Sequence, residues 1–263
     1  MVDPSRFSWW LDADRSATSL ALEEQTPVPD EQIDSVLVFN AGWIDPLGWR
    51  PNDLAYVQAE TQAALLAWLW SLDCPVVNRY PPSIWYRPQA PLLSWHRLLR
   101  RSGLPTPETL VTNIEQQARS FGHRLAADDA HGVVYGPLTS EARYLITSEE
   151  DWKGLVALQR VAPVSLSAPH GETQMVCVVG DAVVWDSERP RDMGRLEPAL
   201  RRFAAAAGLA VVELALALTS RGTCVVAVQT HPRLERFGDA ARAEIVDAIV
   251  QLLTMEAEGG RGR

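Results

Sequence analysis

Cysteine is scarce: Cys74, Cys177 and Cys224 are odd in number, widely spaced and form no C-x-x-C pair in 263 residues. That argues against a disulfide framework or a cysteine-based zinc site, and their apolar neighbours point to reduced thiols packed in a core. Positive charge is also short, with 24 Lys and Arg against 33 Asp and Glu and a formal charge of -9. Such a balance disfavours generic contact with a phosphate backbone, so no nucleic-acid partner is expected. No window approaches ~18 consecutive apolar residues, and Met1-Val-Asp-Pro-Ser-Arg6 lacks a basic region followed by an apolar core. A cytoplasmic protein without a membrane partner is expected. Also missing are G-x-S-x-G, H-E-x-x-H, Walker A and dinucleotide-binding glycine patterns, and any repeat of ~20–50 residues.

Tryptophan is what the chain has in excess. Of ten, eight (Trp9, Trp10, Trp43, Trp49, Trp68, Trp70, Trp85 and Trp95) fall in the first 95 residues, so the two halves are built differently. Such a cluster means either a small domain packed with large rings or a recognition surface. A core role fits Trp68 and Trp70, inside the helix-like run Leu54 to Leu72. Trp43, Trp49 and Trp85, beside Gly and Pro, are surface candidates together with Tyr86 and Arg87.

Asp34-Ser-Val-Leu-Val-Phe-Asn40 reads as a buried strand, Asp53 to Leu72 as a helix and Cys74-Pro-Val-Val-Asn78 as a second strand, while the polar start is expected to form an edge strand or arm. Arg79 to Pro91 is too rich in proline for a helix or central strand and reads as a linker, placing a domain boundary near residue 88. After it, Leu92 to Arg101 is an amphipathic helix ending at Gly103, and Gly103-Leu-Pro-Thr-Pro-Glu-Thr-Leu-Val-Thr-Asn113 leaves it as a short strand. His96 on this helix reads as a surface or half-buried residue. Gly132 to Leu138 and Ala142 to Thr147 read as paired strands, and Leu155 to Val161 as another. Met175 to Trp185, two apolar runs about Gly180-Asp181, is a hairpin. A helix 196–207 ending at Gly208, strands 209–218 and 223–228, and a last helix 239–255 complete the order. The fold class is α/β.

The 103–113 string, with Pro75-Val-Val-Asn-Arg79 and the helix before it, resembles the ATP-grasp superfamily, most closely its peptide-modifying branch related to microviridin and ribosomal-protein glutamate ligases. The resemblance runs from about Ser35 to Leu253. It implies a pre-grasp domain over 1–88 and an ATP-grasp domain over 89–263, with a small subdomain at about 103–161 and a large one at about 162–255.

Activity in that superfamily needs cations on the phosphates of ATP and carboxylates on magnesium. The resemblance puts one phosphate-binding lysine at Leu92 and the other at Gly136, whose missing side chain leaves the cleft open or filled by a neighbour such as Tyr135. The strand that serves adenine and ribose falls on Leu158-Gln-Arg-Val161, with Arg160 at the carboxylate. An acidic-x-Arg pair falls on Thr173-Gln-Met175, and the metal-binding carboxylates fall on Ala215 and Ala227, beside Gln229. His123, His131, His170 and His231 read as solvated or hydrogen-bonded loop residues, and Arg189-Pro-Arg-Asp-Met-Gly-Arg195 as a solvated turn or a contact for an acidic peptide.

No catalytic residue, metal or cofactor is expected on this reading. The expected function is a catalytically degenerate ATP-grasp-like protein that binds or regulates a partner, either an active homologue or a ribosomally made peptide, with self-association as a homodimer also open. The competing expectation is an active ATP-dependent carboxylate–amine ligase using ATP and magnesium through rearranged ligands, namely Glu213, Gln229, Arg97 and Arg160.

Overall fold

The computed structural model describes residues 7–11, 18–22, 28–38, 48–78, 92–127, 132–138, 142–186, 193–219 and 222–260. Trp43, Trp85, Tyr86, Arg87, His131, most of the 189–195 run and the linker with its boundary near residue 88 lie outside them.

The chain starts as an antiparallel sheet of β1 (Phe7–Leu11), β2 (Thr18–Leu22) and β3 (Val28–Pro29). Next, β4 (Val36–Leu37) and β5 (Val76–Val77) pair in parallel across α1 (Pro51–Ser71), since parallel strands require a crossover. Pro51 at the first helical position has the fixed φ that a helix start wants. Trp68 is buried against the core, but Trp70 is 63% exposed, which corrects its expected core role. Residues two apart on a helix point about 200° apart and cannot share a face.

At the end of β5, Asn78 takes a left-handed φ of 55°. Its buried amide donates from Nδ2 to Val211 O at 2.8 Å and accepts at Oδ1 from Val211 N at 2.9 Å. One side chain thereby joins the N-terminal unit to the large sheet.

Helix α2 (Leu92–Arg101) ends as expected at Gly103, with φ 83°. Leu104 N donates to Leu99 O and Gly103 N to Arg100 O, a closure that a side chain at the left-handed position would strain. The small subdomain follows as β6 (Thr109–Thr112), α3 (Glu115–Ala127), β7 (Val133–Gly136), β8 (Tyr144–Ile146), α4 (Glu149–Gln159) and β9 (Val164–Ser167). Its strands lie in the antiparallel order β6-β9-β7-β8, leaving β8 at an edge, over a core that includes Phe121, Leu125, Leu155 and Leu166. The strand expected over Leu155 to Val161 is instead the end of α4 and the turn after it. Ser148 accepts from Asp151 N while the Asp151 carboxylate accepts from Ser148 N, a capping box that starts a helix and carries it through 155–159.

The large sheet has the order β11-β10-β12-β13, from β10 (Thr173–Val179), β11 (Ala182–Trp185), β12 (Val211–Thr219) and β13 (Gly222–Gln229). The 175–185 hairpin turns at Gly180-Asp181 as expected. One face packs on α1, α2 and α5 (Glu197–Ala207), with Trp95 edge-on to Phe203 at 5.8 Å between ring centroids. This core is continuous from Val38 and Trp68 to Val228. The opposite face is partly covered by Phe237 and by Ala241, Ile245 and Ile249 of α6 (Asp239–Gly260). Among the described residues no helix is long and apolar enough to cross a membrane.

Candidate functional site

The β7–β8 register ends with Tyr135 opposite Tyr144, and Gly136 and Arg143 are the residues next to that pair. A Cβ built on Gly136 would sit 2.9 Å from Arg143 Nη1 and 3.2 Å from its Cζ. The space over Gly136 is therefore filled by the Arg143 guanidinium, and Tyr135, named as the expected filler, stacks instead on Tyr144 at 5.8 Å. Glycine at 136 leaves room for the guanidinium of Arg143, the residue just before β8, to lie across β7.

This pair sits in a cleft between the small subdomain, the start of α2 and the large sheet. Leu92, Gly136 and Arg143 line it, with His96, Thr106, Thr109, Ser165, Ser167, His170 and Val226. His96 Nδ1 lies 2.7 Å from Thr106 Oγ1. Val225 N donates to Pro105 O at 2.8 Å, tying the 103–109 segment to β13. Next to that bond the ladder slips: Ala215 faces Ala227 but Leu216 faces Val225, so Val226 is an extra residue turned toward the cleft. Among the described lining residues are one arginine, two histidines and four hydroxyl side chains, and no carboxylate. The electrostatics of the cleft suit an anion.

Leu92 and Gly136, both assigned to phosphate contacts by resemblance, do meet in this cleft. Arg160 does not: it caps α4 and does not line the cleft, because the strand after the second helix is β9. Ser165 and Ser167 of β9 line the cleft, and Arg160 does not. Arg97 is an exposed residue of α2 outside the lining. His123 lies on α3, not in a loop. His231, half-buried beside Thr230 Oγ1 at 3.0 Å, is held by burial down at about 4.

Two positions expected for metal binding, Ala215 and Ala227, pair across the large sheet with Met175 of the expected acidic-x-Arg pair beside them, and the third, Gln229, lies in the next row. Met175 faces Ala215, which faces Ala227, and one step along Cys177 faces Glu213, which faces Gln229. Magnesium takes oxygen ligands in near-octahedral array, and the first row supplies one thioether and two methyl groups. Glu213 shares that face, but it is fully buried and committed. Its Oε2 accepts from Arg233 N at 2.7 Å and its Oε1 lies 3.5 Å from Arg236 Nη1. Among the described residues no cluster of three or more His, Cys, Asp or Glu can hold a metal ion. The residues present do not fit the magnesium that the fold family uses.

A second concavity, of about 620 Å³, runs between edge strand β8 and α4, lined by Tyr135, Tyr144, Leu145, Ile146, Leu155 and Leu158 with Arg143 and Asp151 also present. Tyr144, Leu145 and Leu158 are exposed there. Sequence periodicity did not reveal this groove, because it needs α4 where a strand was expected. Of the expected recognition surface only Trp49 is among the described residues, and it is exposed.

No family model and no curated protein matches the chain. Solved structures do. Macrocyclase MdnC bound with precursor peptide MdnA from Microcystis aeruginosa MRC has a TM-score of 0.70 at 13% identity, covering 94% of this chain and 88% of that one. A Chryseobacterium gregarium RiPP-associated ATP-grasp ligase in complex with ADP and a leader and core peptide has a TM-score of 0.67 at 15% identity, covering 95% and 84%. A RimK domain protein ATP-grasp from Sphaerobacter thermophilus DSM 20745 has a TM-score of 0.52 at 20% identity, covering 73% and 76%. The fold is that of the ATP-grasp ligases, and its neighbours include the peptide-modifying branch that the 103–113 string resembles.

Proposed function

We propose that this protein is a catalytically degenerate ATP-grasp-like protein that binds a peptide and does not ligate it. The observation that carries the reading is the Met175–Ala215–Ala227 row, which offers no oxygen where magnesium would have to be held. Without that ion the charge developing on a transferring phosphoryl group has no counter-charge at the sheet. Among the described residues the acidic group beside the row is Glu213, which closes the 233–236 turn onto β12.

The peptide side of the proposal rests on the β8–α4 groove. Apolar side chains at its wall and an edge strand beside it suit either an amphipathic helix laid on the groove or a strand added to β8. Two of the structural neighbours are complexes with precursor peptides, which supports a peptide as the partner here.

One observation favours the active carboxylate–amine ligase as a second reading: Arg143 places a cation over Gly136, where a phosphate-binding lysine is otherwise lost. A turnover assay separates the two. The protein is incubated with ATP, magnesium and a synthetic peptide that carries both carboxylate and amine or hydroxyl side chains, and phosphate release and peptide mass are followed. No phosphate above the protein-free rate and no loss of water from the peptide are expected. Stoichiometric phosphate with dehydration of the peptide would establish the ligase instead.

A further inference from the structure

Helix α2 turns Trp95 and Leu99 into the core and leaves Arg97, Arg100 and Arg101 exposed on its other side. At 3.6 residues per turn the three fall within roughly 100° of arc and make one cationic face. The helix itself contains no Asp or Glu. Arg202 of α5, also exposed, extends the face: its Nη2 donates to Ser102 O at 2.9 Å, just past the end of α2. Among the described residues no carboxylate pairs with any of the four, whereas Arg119, Arg124, Lys153 and Arg201 each hold one. In a chain with 33 Asp and Glu against 24 Lys and Arg, such a face runs against the composition. The helix end explains part of it, since cations in the last turn, here Arg100 and Arg101, suit the negative end of the dipole. Arg97 stands a turn earlier, where it is three and four residues from two like charges, a spacing that destabilises an isolated helix. An opposite charge laid over the face relieves that repulsion.

We infer that the α2 face is a docking surface for an acidic peptide segment, held by Arg97, Arg100 and Arg101 with Arg202 at its edge. Charge complementarity selects the occupant, because guanidinium forks take carboxylates in bidentate pairs. Arg97 and Arg101 are about 6 Å apart along the helix axis. Alternate side chains of an extended peptide are spaced by about 7 Å, so carboxylates at alternate positions match the arginines. A nucleic acid or an anionic membrane reaches beyond the patch and meets the rest of a chain whose net charge is -9, which repels it. None of the four arginines lines the cleft or the β8–α4 groove. The docking surface is therefore additional to the groove and independent of whether the groove takes a peptide or ATP is turned over.

The test is fluorescence anisotropy of a labelled hexaglutamate peptide titrated with the full-length chain at low ionic strength, without ATP or magnesium. Saturable binding with a dissociation constant of about 100 µM or tighter is expected, weakening as salt is added, while hexaglutamine stays unbound. The triple variant Arg97→Gln/Arg100→Gln/Arg101→Gln should bind about tenfold more weakly or worse, and Lys153→Gln, which removes a charge on α4, should bind as the parent does. Arg97→Gln alone should weaken binding about threefold without lowering the thermal midpoint, because it removes a like-charged neighbour and breaks no ion pair. Failure of hexaglutamate to bind saturably overturns the inference, as does a triple variant that binds like the parent. So does Arg97→Gln that lowers the midpoint while the peptide binds as before. Tighter binding of an oligothymidylate or of phosphatidylglycerol vesicles than of the peptide also overturns it, by identifying a different class of partner.

Discussion

At the scale of single residues, the chemistry of this chain turns on which side chains occupy a position rather than on which are missing from it. Gly136 has no side chain, yet its space carries a positive charge because Arg143, just before β8, reaches over it. That was hidden in the sequence, since a motif reads one position at a time and cross-strand pairing requires the register. His231 shows the same limit. Its loop position suggested a solvated or hydrogen-bonded ring, and it lies beside Thr230 Oγ1, but its burial, which holds it neutral and down at about 4, was not legible. An unfolded histidine takes up its proton near ~6.5, so between there and about pH 4 the unfolded state binds more protons than the folded one. Stability should therefore be independent of this group above about pH 6.5 and fall by roughly 3 kcal/mol as pH drops through the window. Denaturant titrations at a series of pH values check this, and His231→Gln should flatten the slope.

At the scale of elements, the readable parts were those with a local signal. The Gly180-Asp181 hairpin, the helices closed by Gly103 and Gly208, and the long last helix all stand where the sequence places them. Helix α4 was missed because a short apolar run, Leu155 to Val161, does not distinguish strand from helix by periodicity. The signal that decides it lies upstream, in Ser148-Glu-Glu-Asp151, a capping box. With the strand displaced, Arg160 falls outside the cleft, β9 lines it instead, and a groove opens along β8. Asn78 was legible as part of a motif, but its work was not: it stands in for a strand edge against Val211. Asn78→Ala should cost about 2–4 kcal/mol, because it leaves a buried N–H and C=O unpaired and puts a β-carbon residue without a local hydrogen bond at φ 55°. The loss should appear as a lower denaturation midpoint in urea with the slope unchanged.

At the scale of the whole molecule, the fold is shown and the loss of activity is the proposal that rests on it. Two facing sheets, the small one on α3 and α4 and the large one between α1, α2, α5 and α6, reproduce the ATP-grasp architecture at identities of 13–20%. A fold at that distance does not carry its chemistry along. The proposal rests on the Met175–Ala215–Ala227 row, whose members are spread over about fifty residues of sequence and come side by side only when β10, β12 and β13 pair. Calorimetric titration of the full-length protein with ATP and magnesium tests the central claim most directly. The account predicts no saturable heat up to millimolar nucleotide and no magnesium-dependent rise in the thermal midpoint. A magnesium-dependent dissociation constant in the micromolar range would contradict it.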